Sequence, residues 1–530
     1  MSQLDMTQAT LPELLASTCE RYPERSAVYF KGMQMDYRTL TERVRRFAAG
    51  LRDLGIEKGD RVGLMLPNCP QFPIAYYGIL QAGGIVVQIN PMAVPAELEH
   101  YLGDSGAKAI VVFAPLLPAV EKVSLAANLK KIIVELPPRG DVYSGNTILF
   151  EALFGSGELL PSVPLTADDI AVLQYTGGTT GRSKGAMLTH GNLVYNAFQI
   201  SGILKGAKDK SDEEDQDRIL TVIPLFHVYG MTVCMNMGVL DGSQLILLPR
   251  FDRDEVLETI RDTKPTLFPG VPTMYVAVNA HPQAADYGLS SIRYCLSGSA
   301  PLPVEILKEF TAKTGATIME GYGLSEASPV THFNPIDKQK AGSVGKAILN
   351  TEAKIVDLQD GMRELPPGEA GELVIRGPQV MSGYWNMPAE TEQVLRDGWL
   401  YTGDIAYRDE EDYYYIVDRK KDMIIAGGFN IYPREVEEVL YQHPAVMEAV
   451  VIGVPDAYLG ESVKAVVVLK PDASLTTEDL IAYCRENMAA YKVPRIVEFR
   501  DALPKTAVGK ILRRTLREQE LAKAAPEGKE

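Results

Sequence analysis

Apolar residues along the chain follow two periods in turn. Leu40 to Leu54 reads as a helix, RVGLML (61–66) as a strand, the stretch around Ala75 as a helix, and GIVVQI (84–89) and AKAIVVF (107–113) as strands. Such alternation predicts an α/β fold with largely parallel sheets. The rhythm resumes at ILTVIPL (219–225), LILLP (245–249), TLFPG (266–270) and IRYCLSG (292–298), which predicts a second sheet of similar build. Phe72 to Asn90, the most membrane-like stretch, is interrupted by Gln81, Gly83, Gly84 and Gln88 and reads as a buried helix followed by a strand.

From about Gly342 the texture changes to short β runs with Gly and Pro turns, AKIVD, GELVIRG and YYYIVD, as in a small antiparallel barrel or sheet. Asp418-Arg419-Lys420-Lys421-Asp422 then places charges between YYYIV and MIIA, where a solvated turn or a linker is expected. Beyond it an α+β segment of domain size holds a helix with Pro433 in its first turn and Val436, Val439 and Leu440 on one face. A second helix starts near Thr476, with Asp479 at capping-box spacing. The acidic patch at 209–218, DKSDEEDQDR, reads as a solvated surface loop. The expected architecture is an α/β N-terminal domain (1–418) of two α/β subdomains plus a small β-barrel, a hinge linker (419–422), and a small mobile α+β C-terminal domain (423–530).

Composition narrows the function. The chain has 530 residues, enough for more than one core, with 46% hydrophobic and 23% charged residues, as in ordinary soluble enzymes. A net charge of −16 argues against a broad nucleic-acid footprint. Five widely spaced cysteines without a C-x-x-C pair suggest neither a disulfide framework nor a zinc site. The N-terminus lacks a basic region followed by an apolar one, so a cytoplasmic location is expected.

The chemistry concentrates in LQYTGGTTGRSKG (173–185), a β run opening into glycines, hydroxyls and a lysine. Glycines let backbone N–H groups turn toward an anion, hydroxyls add donors, and Lys184 adds a mobile positive charge. Lys184 follows Ser183 and precedes Gly185, so the spacing is not that of a P-loop. No G-x-G-x-x-G opens a βαβ unit either, which removes the dinucleotide-dehydrogenase reading.

YTGGTTGRSKG resembles the phosphate-binding signature of the adenylate-forming superfamily, which includes acyl-CoA synthetases, firefly luciferase and peptide-synthetase adenylation domains. The resemblance recurs in order at GSAPL (298–302), GYGLSE (321–326), YTGD (401–404), DRKKDMI (418–424), GGFNIYP (427–433) and LPKTAVGK (503–510), and so spans essentially the whole chain. It implies an ATP site built from Thr176, Gly177, Gly178, Thr179, Thr180, Gly181, Lys184, Gly298, Ser299, Ala300, Glu320, Gly321, Tyr322, Gly323, Ser325, Asp404, Arg419 and Lys510. In that site Tyr322 faces adenine, Ser325 reaches the phosphate, Asp404 and Arg419 hold the ribose, and Thr176 and Glu326 hold Mg2+. Lys510 would bridge the substrate carboxylate and the α-phosphate, and Lys184, Glu326 and His227 would join it as catalytic residues.

The same resemblance places PLFHVYG (224–230) and the following helix at the acyl pocket, lined by His227, Val228, Tyr229, Met231, Cys234, Met235 and Val330. Read from the residues alone, His227 lies at a strand end and the helix carries Met231, Cys234, Met235 and Gly238 at helical spacing, a pattern that by itself favours a core helix and a satisfied histidine. Rotation about Lys421 would exchange Lys510 for Gly427, Gly428 and Phe429, opening a passage for coenzyme A. The implied reaction joins a small-molecule carboxylic acid to coenzyme A at the expense of ATP. PLFHVYGM and GGFNIYP most resemble bacterial long-chain fatty-acid CoA ligases, with aryl acids such as 4-coumarate, or an acyl-AMP ligase using another acceptor, as alternatives. Peripheral membrane contact to collect fatty acid and a homodimer are compatible with this reading.

Overall fold

The computed structural model describes residues 5–141, 143, 145–154, 163–176, 183–207, 215–300, 302, 304–420, 422–426, 429–456, 458–506 and 511–524. The first sheet has seven strands, in the order Thr147–Leu149, Lys130–Val134, Ala109–Phe113, Arg61–Met65, Ile85–Gln88, Ile170–Thr176 and Lys184–Thr189. All neighbours are parallel except the last pair, an antiparallel hairpin whose connection carries the glycine-rich segment. Helices cover both faces, which is why Val62, Leu64, Val86, Val87, Ile110 and Val111 are fully buried. The helix Tyr37–Asp53 starts where the Asp36 carboxylate accepts the Thr39 N–H at 2.7 Å, and it buries Leu40, Val44, Phe47 and Leu51. Gln71–Gln81 is the expected buried helix and Ile85–Gln88 the strand after it. Among the described residues no helix is long and apolar enough to cross a membrane.

The second sheet has nine strands and follows the predicted rhythm through Arg218–Thr221, Gln244–Leu247, Leu267–Gly270, Tyr294–Ser297 and Thr317–Gly323. One part was not expected. The N-terminal hairpin Ser26–Phe30 and Met33–Asp36 crosses to this sheet and pairs in parallel with Gln244–Leu247. Gln216 and Gln244 tie it down through their side-chain amides, which donate to the Ser26 carbonyl at 2.7 Å and the Ser26 hydroxyl at 2.6 Å.

The acidic patch at 209–218 departs from the solvated loop at its end. Asp217 is buried, accepting the Thr266 hydroxyl at 2.9 Å and Arg293 at 2.8 Å, and Arg218 opens a strand. A five-stranded antiparallel sheet runs from Glu352–Val356 to Tyr414–Arg419. The solvated-turn expectation for 418–422 fails at its start. Asp418 is buried, where its carboxylate accepts the Arg434 N–H at 3.1 Å and pairs with Arg513 at 3.4 Å.

From Ile424 onward the buried residues form clusters of their own around Ile431, Val436, Leu440, Val451, Val463 and Leu480. A five-stranded sheet and the helices Pro433–Gln442, Thr477–Asn487 and Arg513–Ala524 make up this part. Thr476 caps the second helix by accepting the Asp479 N–H at 3.1 Å, as its spacing suggested.

Candidate active site

The hairpin of the first sheet narrows to its last pair, Thr176 opposite Lys184, at the carboxyl end of the strand Ile170–Thr176, where open α/β sheets take ligands. Gly177, Gly178, Thr179, Thr180 and Gly181 lie outside the described residues. Lys184 is half-buried and its ammonium sits 5.1 Å from the centre of the Tyr384 ring. The Tyr384 hydroxyl in turn donates to Glu326 Oε1 at 2.8 Å. Tyr384 is brought there by a chain segment clipped along the strand Lys184–Thr189. Met187 N–H donates to Gly383 O at 2.9 Å, Trp385 N–H to Gly185 O at 2.8 Å, and Met381 N–H to the Glu326 carbonyl at 2.8 Å. Sequence reasoning missed Tyr384 and Trp385. Their only signal is an aromatic pair after a glycine in a stretch without periodicity.

A second group assembles at the end of the strand Thr317–Gly323. The Tyr322 hydroxyl donates to Asp404 Oδ2 at 2.5 Å, and Arg419 reaches Asp404 Oδ1 at 3.3 Å. Burial, followed by the charge of Asp404, pushes the Tyr322 phenol well above its ordinary range, so it stays a donor. Asp404 is buried on a strand that pairs Asp404 with Arg419 in register. A carboxylate and a guanidinium therefore stand together at the hydroxyl end of Tyr322. Gly323 is dictated by contact, because a Cβ there would stand 2.1 Å from the Pro329 carbonyl oxygen. Ser325 and Glu326 follow in a single turn of 3-10 helix.

Glu320 has another task. Its buried carboxylate accepts the Leu302 N–H at 3.2 Å, holding the end of the 298–302 segment against the strand. Burial raises its pKa to about 7, against the opposing pull of Arg434. Gly298, Ser299 and Ala300 are half-buried, and Ser299 adopts a left-handed backbone with φ of 66°. A serine held there costs about 1 kcal/mol, which the surrounding structure must impose.

The segment at 224–231 joins these groups. The Gln174 amide donates to Phe226 O at 3.2 Å from the strand Ile170–Thr176, and the Tyr229 hydroxyl donates to Leu296 O at 2.6 Å beside the 298–300 strip. A Cβ on Gly298 would lie 3.6 Å from the Tyr229 ring, so the two share one wall. His227 is half-buried and its Nδ1 accepts the Tyr229 N–H at 3.2 Å.

Two expectations need correction. His227 is not at a strand end, since the strand Arg218–Thr221 stops six residues earlier. Pro224 lacks a ladder donor, and Asn68 takes over the backbone, donating to Thr221 O and Ile223 O and accepting Leu225 N–H at 2.8 Å. The helix after it is core, as its residues by themselves favoured, but it is not striped. Gly230–Asn236 is a π-helix buried on every side, with Thr232 and Asn236 as hidden as Met231, Cys234 and Met235. Val228 is buried with them, whereas Val330 pairs with Gly323 and is clamped by Asn196 on its N–H and carbonyl.

Lys421, Gly427, Gly428 and Lys510 lie outside the described residues. Phe429 begins a strand, opposite Ala426. Among the described residues no cluster of three or more His, Cys, Asp or Glu could hold a metal. The Glu326 carboxylate and Thr176 hydroxyl are hard oxygen donors, and a magnesium ion needs few of these when phosphates and water complete its shell. The residues present fit it on that basis.

Residues 15–385 match the AMP-binding enzyme family, and residues 435–510 match the AMP-binding enzyme C-terminal domain. The chain is 48% identical to the long-chain-fatty-acid–CoA ligase of Bacillus subtilis over 98% of this chain and 96% of that protein. It is 38% identical to the feruloyl-CoA synthase of an Amycolatopsis species over 93% and 96%. Among solved structures it resembles the anthranilate CoA ligase AuaEII in complex with anthranoyl-AMP, with a TM-score of 0.88 and 29% identity over 98% of this chain and 100% of that one. ATP-bound MatB from Rhodopseudomonas palustris gives a TM-score of 0.86 and 31% identity over 96% and 99%. Matched in both regions, and by relatives over nearly their whole length, the chain belongs to the AMP-binding, adenylate-forming enzyme family.

Proposed function

We propose that the protein is a fatty acyl-CoA ligase that converts a medium- or long-chain fatty acid, ATP and coenzyme A to acyl-CoA, AMP and pyrophosphate. One observation carries the nucleotide half of this reading: Tyr322, Asp404 and Arg419 meet within hydrogen-bond and ion-pair distance, and Glu326, in the turn after Tyr322, is joined through Tyr384 to Lys184 on the other sheet. The similarity to long-chain-fatty-acid–CoA ligases at 40–48% identity supports the acyl half.

In the first step a carboxylate oxygen attacks the α-phosphorus and the bond to the pyrophosphate oxygen breaks. In the second the coenzyme A sulfur attacks the acyl carbon, the acyl–oxygen bond to AMP breaks, AMP leaves and the thiol proton is released to solvent. Both steps gather anions, so the protein's share is alignment and positive charge. Lys184 would neutralise the outer phosphates and Lys510 the α-phosphate and carboxylate. Asp404 would accept the ribose hydroxyls, with Arg419 beside it. Magnesium, held by Glu326 and Thr176, would supply further neutralisation of the phosphate oxygens. His227 would meet the carboxylate or thiol at the neck between the phosphate strand and the Tyr229 wall. Moving the part beyond Lys421 would bring Gly427, Gly428 and Phe429 in for coenzyme A.

Incubation of the purified protein with ATP, magnesium and palmitate, with and without coenzyme A, tests this when AMP, pyrophosphate and thioester are followed. Palmitoyl-CoA formed with AMP, and lost in Lys510→Ala, is the expected result. Acyl-adenylate without thioester would mean another acceptor. No adenylate from palmitate, with turnover of 4-coumarate or ferulate, would favour the aryl reading that the likeness to feruloyl-CoA synthase keeps in view. A shift in sedimentation with anionic vesicles, or a dimer mass in solution, would bear on membrane contact and assembly.

A further inference from the structure

The helix Pro95–Ser105 bonds to Ser183, Tyr175, Trp385 and Asn386, on two sides of Lys184, although no motif lies in it. Nε2 of His100 is 2.6 Å from the carbonyl oxygen of Ser183. A carbonyl only accepts, so Nε2 carries the proton and donates. The Ser183 hydroxyl donates to the Thr176 carbonyl on the other side of the hairpin mouth. The peptide that leads into Lys184 is thereby gripped by its carbonyl and by its side chain.

One turn further along the helix, the Asp104 carboxylate accepts the Tyr175 hydroxyl at 2.6 Å. The Asp104 carbonyl accepts both Trp385 Nε1 and Asn386 Nδ2, each at 3.1 Å. Those two residues follow Tyr384, whose ring lies under the Lys184 ammonium and whose hydroxyl holds Glu326. The helix end is fixed in turn by Arg61, which donates to the Ser105 carbonyl at 2.5 Å and the Gly106 carbonyl at 3.1 Å and lies 5.6 Å from the Trp385 ring.

We propose that His100 is a positioning residue for ATP binding: by holding the Ser183 carbonyl it sets the direction in which Lys184 leaves the hairpin. The helix acts as a brace between the phosphate strand and the Tyr384 segment. This rests on the reading of Lys184 as the phosphate-facing cation. A lysine on an unbraced peptide would still carry its charge but spend less time aimed at the phosphates, so the loss falls on nucleotide affinity.

Two variants separate this role from packing. His100→Phe keeps a ring against Tyr175 and Tyr101, 5.9 and 5.8 Å away, and removes the donor. His100→Gln gives up the ring and restores an N–H at similar reach. Calorimetric Kd for ATP, KM for ATP, fatty acid and coenzyme A, and Tm are measured for the full-length protein. The expected result is an ATP Kd and KM about fivefold higher in His100→Phe, the worth of one hydrogen bond of roughly 1 kcal/mol. The other two KM values and Tm should stay near those of the wild type, and His100→Gln should bind ATP within about twofold of it, being an affinity difference below ~0.5 kcal/mol.

Equal ATP affinity in His100→Phe and wild type would overturn the proposal, as would a parallel loss in both variants or a loss spread over all three substrates with a lower Tm. Lys184→Ala distinguishes the failures. If it leaves ATP affinity intact, the reading of Lys184 falls and this inference with it; if it weakens ATP while His100→Phe does not, the inference alone falls.

Discussion

Single residues at the site are held by contacts that substitution should expose. Glu320 binds its proton more tightly in the folded chain than an ordinary carboxyl, with a pKa of about 7 against 4.5. Its contribution to stability is therefore fully present below about pH 4.5 and is lost as pH rises through about 7, a change on the order of 3 kcal/mol. Glu320→Gln removes that titration. The Tm of the wild type relative to Glu320→Gln should fall between pH 5 and pH 8, and a constant difference across that range would show that burial does not govern this carboxyl. At Gly323 the constraint is steric. Ala there must displace the Pro329 carbonyl, and denaturant unfolding of Gly323→Ala should reveal a loss of about 3 kcal/mol.

At the scale of elements, the irregular segment between the strand Arg218–Thr221 and the π-helix Gly230–Asn236 carries His227, and Asn68 replaces its missing ladder. Asn68→Ala strips partners from three buried backbone groups, which should cost about 3 kcal/mol. If His227 and Tyr229 face the acid, KM for the fatty acid should rise in this variant more than KM for ATP; equal changes would detach the segment from acyl recognition. Strands and capped helices were legible beforehand because their signals are local, as in the β-branched run of Ala109–Phe113 and in Thr476 with Asp479. The π-helix was not. Its residues read as a helical stripe, but two sheets and neighbouring helices bury its whole circumference, so periodicity carries no orientation there.

On the scale of the whole molecule, Arg513 ties the C-terminal part to the strand Tyr414–Arg419. It pairs with Asp418 at 3.4 Å and Glu437 at 2.5 Å, and burial raises the Asp418 pKa to about 6 against the pull of Arg513. Arg513→Ala leaves two carboxylates without that cation, which should weaken the docking by about 3 kcal/mol. Trypsin should then cut faster at Arg419, Lys420 and Lys421, read by electrophoresis of timed digests; an unchanged rate would mean that other contacts hold the two parts together.

The sequence by itself determined the alternating α/β build, the glycine- and hydroxyl-rich run before Lys184, and the series of motifs that places the chain among adenylate-forming enzymes. Each depends on residues near one another in the chain, where backbone preference and side-chain period act directly. Tertiary structure decided the rest. It buried Asp217 and Asp418 within stretches that read as solvent-facing charge, gave Glu320 a backbone N–H to hold, and set Tyr384 under Lys184. It also joined Asp104 to Trp385 across 281 residues of sequence. Such partners are chosen by the closing of one sheet against another, and no local pattern records a contact made at that distance.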